Sequence, residues 1–82
     1  MSYVVTRMRL GYSEPDYLHV DLLDYETIED VTPAEIRTGV NVWLLWLSRA
    51  TRFPTVELAS AWALVVGGQV REVDSKHTTR LL

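Results

Sequence analysis

The 82-residue chain has no cysteine, one lysine and two histidines. The absence of cysteine excludes disulfides and thiolate metal sites, two common staples of small domains. The histidines, His19 and His77, have no His-x-x-x-His spacing. His19 therefore reads as a cross-strand partner of Arg9 or Asp21 rather than a metal ligand. No Gly-x-Ser-x-Gly elbow occurs, and no histidine stands where a general base is needed. Gly67-Gly68 follows an apolar segment instead of opening one, so it reads as a helix stop and not a phosphate loop. These absences point to a non-enzymatic protein without metal or cofactor. No apolar run exceeds six residues, far below the ~20 needed to cross a bilayer. No basic and apolar leader opens the sequence. The expectation is a soluble, cytoplasmic, single domain spanning residues 1–82 with no membrane partner.

What is abundant is apolar and aromatic surface. Hydrophobic residues make up 48% of the chain, with three Trp and four Tyr. A domain of this size buries only about 60–65% of its unfolded surface, so oligomerisation is a natural way to bury more. The charge is unevenly placed. Between Gly11 and Ile36 there is no base and there are eight acids, whereas residues 37–82 carry six bases and three acids. Such segregation orients partners and steers association. Seven of the eight bases are arginine, a bias compatible with a small accessory protein of a GC-rich bacterium or its phage.

Tyr3–Leu10 alternates, as does Tyr17–Tyr25, around the turn chemistry of Gly11-Tyr12-Ser13-Glu14-Pro15-Asp16. An antiparallel hairpin would place Leu10 opposite Leu18, Met8 opposite Val20 and Thr6 opposite Leu22. On its other face Arg7 would meet Asp21 and Arg9 would meet His19. A helix capped by Ser13 and running to Tyr25 is the alternative.

Thr32-Pro33-Ala34-Glu35 reads as a helix start with a capping box, predicting a helix from Pro33 to about Ala50. Its stripe of Ile36, Val40, Trp43, Leu44 and Leu47 would cover the sheet, leaving Val42, Leu45 and Trp46 to touch something else. Thr51-Arg52-Phe53-Pro54 breaks this helix, because proline cannot continue it and holds Phe53 extended. Thr55 caps a second helix from Val56 to about Val66, closed by Gly67-Gly68. Gln69–Val73 reads as a short strand, Asp74-Ser75-Lys76 as a turn, and His77–Leu82 as an edge strand or a frayed end. The fold expectation is an α+β, two-layer domain in the order β-β-α-α-β: a hairpin, a helical hairpin and short C-terminal strands.

The candidate interface is Val42, Trp43, Leu45, Trp46, Arg49, Leu58, Trp62 and Val65, a Trp-rich layer on the two helices. Asp24, Glu26, Glu29 and Asp30 form a candidate acidic partner surface. The first functional expectation is a self-associating protein, a dimer through the helical layer. The second is an inhibitor or accessory module that shows the acidic segment and Trp patch to another protein. Nucleic-acid binding ranks last. The second helix carries only Glu57 and Ser60 as polar residues, too few to read bases, and the net charge is −3.

Overall fold

The computed structural model describes residues 2–20, 22, 26–31, 41–44, 46–74 and 79–82. Along these the chain forms β1 (Ser2–Arg7), β2 (Asp16–Val20), a 3-10 turn (Ile28–Asp30), β3 (Asn41–Leu44), a second 3-10 turn (Leu47–Arg49), α1 (Val56–Val66), β4 (Gln69–Val73) and β5 (Thr79–Leu81). One five-stranded antiparallel sheet results, in the order β3-β2-β1-β4-β5. The fold is α+β as expected, with α1 as the single α-helix among the described residues.

β1 lies at the centre of the sheet and is covered on both sides. Val5 joins Leu18, Val20, Phe53, Ala59, Trp62 and Ala63 in the larger core, which faces α1. Val4 joins Tyr17, Ala50 and Val73 in a smaller core on the other face, with Leu47 packed against it. This two-sided burial explains why the expected hairpin forms in a different register. Thr6 opposes Tyr17 instead of Leu22, and Arg7 opposes Asp16 instead of Asp21. An odd shift exchanges the faces of one strand relative to the other. Alternation in β1 cannot resist that exchange, because adjacent Val4 and Val5 are both buried. The strands end early as a consequence. Met8 and Leu10, read as core from their alternation, lie on the exposed connection.

Beyond Thr6 and Tyr17 the paired strands part, and residues 51–53 satisfy the backbone groups this leaves. Thr51 N donates to the Leu18 carbonyl at 3.0 Å, and Tyr3 and Phe53 exchange two backbone hydrogen bonds at 2.9 and 2.8 Å. Val20 N donates to the Thr51 hydroxyl at 2.7 Å. Buried backbone groups require such partners. Pro54 helps by holding Phe53 extended, so the residue that breaks helical pattern in the sequence enters the sheet as an isolated bridge.

The expected helical hairpin does not form. Residues 41–44 are strand β3, paired with β2, and residues 47–49 are a 3-10 turn. Residues 32–40, where the capping box of that helix falls, lie outside the described residues. A short apolar run fits a buried strand as well as a helix, and periodicity cannot choose between them. Here the open edge of β2 offers a ladder of hydrogen bonds, and Val42 and Trp43 are strand-favouring residue types.

α1 forms where expected, for the local reasons visible in its sequence. The Thr55 hydroxyl accepts a hydrogen bond from Leu58 N at 3.2 Å, and Gly67, in the left-handed region, closes the other end. Ala59, Trp62 and Ala63 are its buried residues. Replacing Thr55 with alanine leaves an N-terminal amide uncapped and is expected to cost about 1 kcal/mol. Urea unfolding checks this, and an unchanged midpoint would remove the cap from the account. β4 and β5 form as a C-terminal hairpin, with Thr79–Leu81 as an edge strand.

Candidate interaction surfaces

The interface residues expected from the sequence separate in space. Trp62 is wholly buried, its ring centroid 6.0 Å from that of Phe53. Trp43 and Leu58 are partly buried against the same core. Trp46, Arg49 and Val65 are exposed. Val42 lies on β3 opposite His19, and Leu45 lies outside the described residues. The Trp-rich layer is thus divided between a core anchor, a half-buried cover and one exposed ring. Of the acidic set, Glu26, Glu29 and Asp30 are exposed, with Asp30 held by the Thr27 hydroxyl at 3.2 Å. Asp24 lies outside the described residues.

Glu26, Glu29 and Arg49 line an open cleft of about 930 Å³ at the mouth of the β1–β2 hairpin. Its lining also includes Val20, Ile28, Phe53 and Arg52. The cleft is lined by both acids and bases, so the acidic segment does not present charge of a single sign there. His19 belongs to this region. Its Nδ1 lies 2.9 Å from the Arg49 carbonyl, so it ties β2 to the 47–49 turn, while Arg9 pairs with Asp16 and Asp21 lies outside the described residues. Among the described residues no group of three His, Asp or Glu side chains is placed to hold a metal ion. No helix of the described residues is long and apolar enough to cross a membrane.

Exposed large hydrophobic side chains collect in two other places. The first is the α1–β5 side. α1 turns Leu64, 86% exposed, and Val65 outward, while Leu81 and Leu82 are exposed beside it. Leu64, Leu81 and Leu82 line a groove of about 420 Å³ between helix and edge strand. The second is the β1–β2 connection, where Met8, Leu10 and Tyr12 are exposed. Trp46, 58% exposed, stands apart in sequence from both groups.

The sequence reading missed Leu64, Leu81 and Leu82. A signal for Leu64 exists: Ala59, Trp62 and Ala63 define the buried stripe of α1, and Leu64 lies off it. For Leu81 and Leu82 no local signal exists, because their exposure follows from β5 ending the sheet. The chain matches no protein-family model, and no curated protein or solved structure gives a significant match.

Proposed function

We propose that this protein is a non-enzymatic interaction protein that pairs with a second copy of itself through the α1–β5 side. The observation that carries the reading is the placement of Leu64, Leu81 and Leu82 around one groove at a sheet edge. An edge strand presents unpaired backbone donors and acceptors, which an identical strand complements. Antiparallel pairing of β5 with its symmetry mate would extend the sheet across a two-fold axis. The helices of the two copies then lie on the same face, and their exposed leucines become mutual cover. The sequence-based expectation of self-association is kept, while its location moves from a helical hairpin to a helix and a strand edge.

Light scattering after size exclusion tests this across a concentration series. The native chain is expected to run as a dimer, and Leu64→Glu with Leu82→Glu as a monomer. Both positions are exposed, so the charges do not enter a core. A native chain that stays monomeric at high micromolar concentration rejects the proposal.

A further inference from the structure

The β1–β2 connection carries features that the α1–β5 contact does not use. Its tip is a tight turn: Tyr12 N donates to the Arg9 carbonyl at 3.1 Å, and Gly11 has φ +87°. That is the geometry of a type II turn, which needs a left-handed third residue. The turn places Leu10 at its apex, fully exposed.

Two arginines hold the turn to the sheet. Arg9 Nε lies 2.9 Å from Asp16 Oδ2, and Arg7 Nε lies 3.2 Å from the same oxygen. The Arg9 guanidinium stacks 4.0 Å from the Tyr12 ring centroid, and that of Arg7 stacks 4.5 Å from Trp43. The Asp16 side chain is only 5% exposed, while both arginines remain about two-fifths exposed. One buried carboxylate thus fixes two guanidiniums and neutralises one of them. The cluster keeps one positive charge on a chain whose net charge is −3.

We propose that this hairpin end is a docking surface for an acidic polypeptide segment. Leu10 is the apolar anchor, and Arg7 and Arg9 meet carboxylates that flank the anchor's contact on the partner. A carboxylate suits guanidinium geometry, and a charge-assisted hydrogen bond is stronger than a neutral one. Arginines fixed by Asp16 and by stacking lose little freedom on binding. Arginine and tyrosine are also the residue types that carry binding energy at interfaces. Single-stranded nucleic acid fits less well. Stacking of successive bases needs several rings, and the connection offers one exposed ring, Tyr12, one face of which Arg9 covers.

The test is fluorescence anisotropy on the full chain with three fluorescein-labelled probes. One is a peptide of glutamate and leucine only, the second replaces each glutamate with glutamine, and the third is an oligothymidylate. The glutamate peptide is expected to bind saturably and to weaken as salt is added. Leu10→Ser and Arg9→Gln are each expected to weaken it roughly tenfold, a single hot-spot contact. Leu10→Ser changes a fully exposed side chain, and Arg9→Gln leaves Arg7 on Asp16. If Arg9→Gln perturbs folding by circular dichroism, Leu10→Ser alone decides. Absent binding of the glutamate peptide overturns the proposal, as does equal binding by Leu10→Ser or by the glutamine peptide. Preferential binding of oligothymidylate replaces the acidic segment with nucleic acid.

Discussion

Trp62→Ala is expected to lower the unfolding free energy by roughly 3–5 kcal/mol, the range for deleting a large aromatic from a packed core. Trp62 is the largest fully buried side chain among the described residues. It projects from α1 into the core that Val5, Leu18 and Phe53 build on the sheet. Removing it separates the helix from the strands it covers. At ~0.05–0.15 kcal/mol per residue, a chain of this length has about 4–12 kcal/mol in total, so the loss consumes much of the margin. The indole Nε1 is buried without a hydrogen-bond partner among the described residues. Trp62→Phe removes that unsatisfied donor along with some volume, and the two effects oppose one another. Its expected cost is therefore about 1 kcal/mol or less. Trp46→Ala, at an exposed site, is expected to stay within about 0.5 kcal/mol. Urea titrations followed by far-UV circular dichroism rank the three. A Trp62→Ala loss below that of Trp46→Ala would show that the helix is not anchored through this ring.

Gly68→Ala has the second large expected effect, through crowding instead of a cavity. A methyl group at Gly68 would lie 2.7 Å from Val5 Cγ1, 2.8 Å from the Thr6 carbonyl oxygen and 3.3 Å from Trp43 Cη2. Val5 is wholly buried, so its methyl has no free volume to enter. The Thr6 oxygen belongs to the backbone of the central strand, which pairs along its length with β4. Relief requires the connection between α1 and β4 to move away from β1. Overpacking of this kind typically costs about 1–3 kcal/mol, and contact with a fixed backbone atom puts Gly68→Ala near the upper end. The readout is the same urea titration. An unchanged midpoint would mean that the approach of residue 68 to β1 is looser than described.

These two sites differ in how far the sequence announced them. Trp62 falls on the Val56-Ala59-Trp62-Ala63 stripe of α1, whose start at Thr55 and stop at Gly67 are local chemistry. Its burial is what an amphipathic stripe implies, although the sequence reading also counted it among interface candidates. Gly68 was legible only as part of a helix stop. Its close approach to Val5, Thr6 and Trp43 joins residues far apart in the chain and leaves no trace in the local pattern.

The same division runs through the candidate surfaces. The excess of exposed apolar residues was readable from composition, but its location was not. Leu10 alternates with Met8 and Thr6 as a core residue would, yet the paired strand ends at Arg7 and leaves Leu10 on a turn. Arg7 and Arg9 were read as cross-strand partners of Asp21 and His19. The observed register gives both of them to Asp16, and this creates the half-neutralised pair on which the proposed docking surface depends.

The sequence by itself determined the α+β class, the limits of α1 and the strand Gln69–Val73, and it favoured the β1–β2 hairpin around Gly11 over a helix in the same segment. Caps, turn residues, proline geometry and short-range alternation act within a few residues of chain, so their energetics are written locally. Only the tertiary structure decided the hairpin register, the strand at Asn41–Leu44 and the insertion of Thr51–Phe53 beside β1 and β2. In each of these, a run of residues compatible with several local conformations is fixed by backbone hydrogen bonds and by packing on a distant element. The central strand, buried on both faces, has no wet side to signal its orientation, and the open edge of β2 outweighs the helical reading at residues 41–44.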